Sequence, residues 1–161
     1  MGILKRATRR VASNAYMDPG LGDSGACHPR DLIALSYLAQ KHGVYDLYTD
    51  LLHQREAHTS WIGRIADELA YQHDLGVVIL GREYKANSTL DDGSIPRLMS
   101  NLMNSPIVDD PSEIERHSVV VIGVAHDRFR HLDLPAGSVV VDPFGTVEDQ
   151  DHLLIVRPGR T

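Results

Sequence analysis

The stretch that most constrains this fold is Ser118 to Val124, which reads Ser-Val-Val-Val-Ile-Gly-Val. Its β-branched residues favour a strand, and they carry no polar residue at alternate positions. A strand that is apolar on both faces must be covered on both faces. That condition is met by a parallel sheet flanked by connecting segments, not by a half-solvated antiparallel one.

Shorter apolar runs of the same kind surround it. Gly76 to Gly81, Pro106 to Val108, Ser138 to Asp142 and Leu153 to Val156 all read as strands. Between the first two lie a polar loop, Arg82 to Gly93, and a helical pattern from Ile95 to Met103. Ser94 is placed to cap that helix, and Pro96 suits its first turn. The connections after Pro111 and His126 are short, so crossover helices there reduce to a turn. The fold class expected is α/β: a helical segment followed by a Rossmann-like, mostly parallel sheet with flanking helices.

The first half of the chain is helical by pattern. In the segment Asp31 to His42, Leu32, Leu35, Leu38 and Ala39 share one helix face, and Gly43 is a stop signal. A longer helix is expected from Asp46 to Gln72. Its stripe of Leu47, Leu51, His58, Ile62, Ile65 and Leu69, thickened by Trp61 and Ala66, reads as core packing. Gly63 interrupts it. Two units follow from this reading, 1–72 and 73–161.

Ahead of the first helix lies Tyr16 to Asp31, which holds Gly20, Gly22, Gly25 and the chain's only cysteine, Cys27. The glycines permit positive φ and close approach of a ligand to the backbone. Pro29 suits a first helical turn. Cys27 therefore stands at a loop-to-helix junction, where the helix dipole and Arg30 favour a thiolate nucleophile. The competing reading of a lone cysteine is a small buried hydrophobe. Asp31, one turn later, can face the same cleft or simply complement the dipole. Lys85 lies just past the Gly76–Gly81 strand, where open α/β sheets bind ligands, beside Asn87. A solvated surface lysine is the alternative.

Composition narrows the partners. The 161 residues carry a formal charge of -6 and a pI near 5.8, which argues against a nucleic-acid or anionic-membrane surface. No apolar run approaches the about 20 residues a bilayer span needs. A single cysteine forms no internal disulfide and fits a reducing, cytoplasmic setting. The nine histidines show no metal-binding spacing, so no metal is expected. A cysteine hydrolase pairing Cys27 with a distant histidine stays open, since nothing marks which histidine.

Two spaced motifs carry a resemblance. Pro19, Gly20, Gly22, Gly25, Cys27, Pro29 and Asp31 fall in register with Pro-Gly-x-Gly-x-Gly-Gly-x-Cys-x-Pro-Lys-Asp. Leu80 to Ser88 is similar to Leu-Gly-x-x-Phe-Lys-x-Asn-Thr, and Val139 to Pro143 is a weaker third match. These patterns belong to the UDP-glucose/GDP-mannose dehydrogenase family, the NAD-dependent nucleotide-sugar 6-dehydrogenases. Ser24 stands for a glycine of the pattern, Arg30 for its lysine, and Asp92 for an arginine common before the serine.

The resemblance is to the C-terminal half of such an enzyme. No Gly-x-Gly-x-x-Gly follows a strand, so little turnover is expected from these residues alone. It implies that Cys27 captures the C6 aldehyde and then carries a thioester, with Asp31 positioning water or taking a proton. It implies further that Gly20, Gly22 and Gly25 wrap the sugar and present N–H groups. Tyr16, Lys85 and Asn87 would bind the nucleotide sugar, UDP-glucose being the first guess. Arg30 would meet the NAD cofactor or a phosphate, Arg10 would reach a neighbouring subunit's substrate, and the family pairs as homodimers. The alternative from another class is a stand-alone nucleotide-sugar-binding or interaction module without catalysis.

Overall fold

The computed structural model describes residues 20–22, 25–44 and 47–159. Tyr16 and Arg10 lie outside the described residues. Among the described residues three helices come in chain order, α1 (Cys27–Lys41), α2 (Leu47–His73) and α3 (Ile95–Met103). The strands are β1 (Gly76–Leu80), β2 (Ile107–Val108), β3 (Ser118–Ile122), β4 (Val139–Val141) and β5 (Leu154–Val156). They form one sheet in the order β2-β1-β3-β4-β5, with every pairing parallel. The α/β, Rossmann-like expectation is met. So is the expectation of reduced crossovers: Pro111–Glu113 and Asp127–Phe129 are single 3-10 turns.

Alternation along the strands divides the core. Ile79, Val119, Val121, Val139 and Val141 face one side, where Ile62 and Ala66 of α2 and Ile95 and Met99 of α3 cover them. Leu80, Val120, Ile122 and Val140 face the other, under Ile114, Phe129, Leu132, Leu134 and Val147. All five residues of β3 are buried, as its apolar composition requires. Each such side chain contributes about 1.5–3 kcal/mol on leaving water.

Three details depart from the sequence expectation. First, α1 begins at Cys27, four residues earlier than the apolar pattern suggested, because Pro29 is accommodated inside its first turn. Second, the Leu32/Leu35/Leu38/Ala39 face is not core: α1 buries none of its residues, and Leu38 is 52% exposed. Third, the α2 stripe buries only where it meets the sheet. Ile62 and Ala66 are buried, while Leu51 and Trp61 stay exposed. Gly63, which interrupts the stripe, has a packing reason. A Cβ there would stand 3.0 Å from Met103 Sδ on α3, so the glycine lets the two helices close.

The sheet ends are tightened by two devices. Gly123, after β3, lies so near β1 that a Cβ would come within 2.5 Å of Gly81 O and 2.9 Å of Pro96. Asp142, fully buried after β4, accepts three backbone N–H bonds. They come from Phe144 at 3.0 Å, Gly145 at 2.9 Å and Val147 at 2.7 Å. One carboxylate thereby satisfies a turn that would otherwise bury unpaired donors.

Candidate functional site

The glycine loop is anchored at both ends before it reaches Cys27. His58 Nε2 of α2 lies 3.2 Å from the Gly20 carbonyl oxygen, and Leu21 is buried in the core beside α2. Gly22 has φ +87° and Gly25 φ +102°, conformations that L side chains rarely adopt. At Gly25 a Cβ would also stand 3.0 Å from the Tyr84 ring. Its N–H donates to Gly93 O at 3.1 Å. That amide of Gly25 is therefore engaged within the protein.

Cys27 is the first residue of α1, and its side chain is exposed rather than packed. The preceding Ala26 has no side-chain oxygen to cap the helix, so its first N–H groups and positive dipole end accompany the sulfur. Gly25, Ala26, Cys27, His28, Tyr84, Leu90 and Asp92 line a cavity of about 350 Å³. This cavity joins the glycine loop to the loop after β1. Lys85 follows Tyr84 directly and sets its Nζ 5.2 Å from the centre of that ring, within cation–π reach. Cys27 and Lys85, 58 residues apart in sequence, are thus each next to Tyr84, Cys27 by sharing its cavity and Lys85 by lying near its ring. Asn87 holds φ +59°, which bends the same loop back, and Tyr84 N–H closes it on Leu90 O at 3.1 Å.

Asp31 is placed differently. Its carboxylate bonds Arg30 at 2.9 Å, both side chains being well exposed, and it lines a second cavity, between α1 and α2. That cavity, about 470 Å³, also takes in Leu21, Gly22, Leu32, Leu35, Leu51 and His58. His28 lines both spaces. Arg30 is held above the usual arginine range, first by its hydrogen bond to Asp31, then by that residue's charge and by the Cys27 sulfur. The guanidinium thus has an exposed carboxylate partner in Asp31. The turn after β1 carries a single glycine, Gly81, whose Cβ would meet Val124 and Phe129. The described residues build no dinucleotide cradle, so they do not fit NAD. Among them, no group of three or more metal-ligating side chains comes together.

Tyr84, Asp92, Gly93 and Arg55 belong to this site, although residue patterns alone did not single them out as functional. Arg55 Nη2 on α2 donates to Gly93 O at 2.5 Å. The available signal was Gly93 itself, a glycine directly before the Ser94 cap.

Fold and site together define a class: a parallel α/β domain with a thiol at a helix start, facing the loop beyond the first strand. No protein-family model matches the chain, and no curated protein matches it in sequence. Solved structures do match in fold. GDP-mannose dehydrogenase of Pseudomonas aeruginosa superposes with a TM-score of 0.71 at 19% identity, over 96% of this chain and 44% of that one. UDP-glucose dehydrogenase of Pyrobaculum islandicum gives 0.67 at 17% identity, over 95% and 42%. UDP-D-ManNAc dehydrogenase of Pyrococcus horikoshii gives 0.66 at 14%, over 94% and 41%. The chain spans less than half the length of each. The fold is that of a part of nucleotide-sugar dehydrogenases, in agreement with the resemblance read from the motifs.

Proposed function

We propose that this chain supplies the thiol and the nucleotide-sugar grip of a nucleotide-sugar 6-dehydrogenase. The observation that carries the reading is the cavity shared by Cys27 and Tyr84, with Lys85 seated on the Tyr84 ring. The fold likeness and the two sequence motifs support it. Oxidation of the sugar belongs to NAD chemistry, for which the described residues provide no seat, so we expect little or no turnover from them alone.

Within this reading the Cys27 sulfur adds to a C6 aldehyde. A carbon–sulfur bond forms, and the carbonyl oxygen takes up a proton to give a hemithioacetal. The uncapped α1 start sets its first N–H groups and positive dipole end beside the attacking sulfur. Lys85, at the carboxyl end of β1, takes the diphosphate as a point charge. Asp31 acts only if α1 turns its carboxylate from the second cavity toward the first, and Arg30 holds it until then. UDP-glucose remains the first choice of substrate, and a cytoplasmic setting goes with it. Pairing of two copies, which the resemblance implies, goes with the same reading.

Calorimetric titration with UDP, UDP-glucose and GDP-mannose tests the grip. Lys85→Ala should weaken binding about tenfold or more, the loss of one charge-assisted contact. Unchanged affinity would remove Lys85 from the site. Iodoacetamide alkylation against pH tests the sulfur, and a thiol reacting like free cysteine would end its catalytic role. Binding that is intact in Cys27→Ser, with an unreactive Cys27 in the wild type, would favour a binding module without chemistry.

A further inference from the structure

We propose that Arg55 is a positioning residue that ties the cysteine loop to the Lys85 loop and so fixes the spacing of the two halves of the site. The inference rests on the function proposed above and adds how the site is held. Three elements converge on one carbonyl. Gly93 O accepts from Arg55 Nη2 at 2.5 Å and from Gly25 N–H at 3.1 Å. Arg55 projects from α2, Gly25 lies two residues before Cys27, and Gly93 closes the loop that carries Lys85 and Asn87.

The approach is too close for any side chain. A Cβ on Gly93, at φ +64°, would stand 2.7 Å from Gly25 O and 3.0 Å from Ala26 Cα. On the opposite flank Gly25 abuts the Tyr84 ring. The cysteine loop is thus wedged between the two ends of the 84–93 segment. A carbonyl with one amide donor is held by a bond of ordinary strength, and the guanidinium adds a charged donor that is roughly twice as strong. Since α2 packs on the sheet through Ile62 and Ala66, Arg55 references both loops to the rigid core.

A ligand spanning both loops depends on this tie, and a ligand touching only the Lys85 side does not. The whole chain is compared with Arg55→Ala and Arg55→Lys. In Arg55→Ala, amide hydrogen exchange should accelerate at least about fivefold in peptides covering 25–31 and 84–94 together, with the strand peptides unchanged. UDP-glucose affinity should fall about tenfold while UDP affinity changes less than about threefold. Arg55→Lys, which keeps one charged donor, should restore most of the difference.

Acceleration in one loop only, or in neither, overturns the proposal. So does an equal loss for UDP and UDP-glucose, or an Arg55→Lys no better than the alanine variant. If the wild-type chain binds no nucleotide sugar, the proposed function falls, and the exchange measurement still decides whether Arg55 couples the loops. If Arg55→Ala fails to melt cooperatively, the exchange and affinity arms are read on Arg55→Lys against wild type. There, simultaneous loosening of both loops, smaller than the roughly fivefold change expected for alanine, supports the tie, and loosening of one loop alone overturns it.

Discussion

Helices α1 and α3 begin alike and end up in opposite circumstances. Each follows a glycine-containing turn, each carries a proline in its first turn, and each has leucines at helical spacing. Yet α3 is sealed. Ser94, extended at φ -69° and ψ 147°, accepts from Arg97 N–H, and Ile95, Pro96 and Met99 are buried. By contrast α1 starts from Ala26, already in helical φ/ψ with no capping oxygen, and buries nothing. A helix start that serves only the fold is closed by its own chain. The one beside the sulfur is left without a side-chain cap.

The largest test of that contrast is truncation of each helix's apolar face. Met99→Ala should cost about 2–5 kcal/mol, by loss of transfer energy and by the void it leaves under the sheet. Leu38→Ala should stay within about 0.5 kcal/mol, as for an exposed position. Chemical denaturation of both variants measures the pair, and similar losses would erase the distinction. Next in size is the cap. Ser94→Ala should cost about 1 kcal/mol, read as a lower midpoint at an unchanged slope.

The smallest effect tests the sheet side by acid. Asp110 is held below the ordinary carboxylate range, first by the backbone N–H of Ser112, then by its hydroxyl. A carboxylate lowered in the folded state contributes stability above its unfolded pKa, and that contribution disappears as pH falls through its folded value. Melting temperatures taken downward from pH 5 should therefore drop slightly more in the wild type than in Asp110→Asn below about pH 4, the unfolded value of a free aspartate. Identical acid profiles would leave the carboxylate no role in holding the Pro111–Glu113 turn.

Much of the fold was legible because its signals are local. The Val-rich run at β3 could only be a strand covered twice, and Ser94-Ile95-Pro96 spells a helix start. The fate of the α1 leucines was not legible. Periodicity tells which residues share a face but not what meets that face. The apolar pattern began only at Asp31 because Cys27 and His28 give no apolar signal; it was Pro29's fit to a first turn that put Cys27 at the helix start.

Of the candidate site, Cys27 and Lys85 were readable through motifs, and Tyr84 lines the Cys27 cavity with Lys85 Nζ near its ring. Arg55 and Gly93 were not, since their contact joins residues 38 positions apart with no local pattern to announce it. The three bonds to Asp142 escaped for a similar reason. The sequence reading ended its strand there, and the turn around the carboxylate forms only once Phe144, Gly145 and Val147 fold back.

The contact between Gly63 and the Met103 sulfur carries a consequence for how this chain can vary. Room for a side chain at 63 depends on where the Met103 side chain lies, so a substitution at 63 must shift that thioether. A bulkier residue at 63 would sit more easily beside a shorter one at 103, so a double substitution there should cost less than the sum of its two single changes.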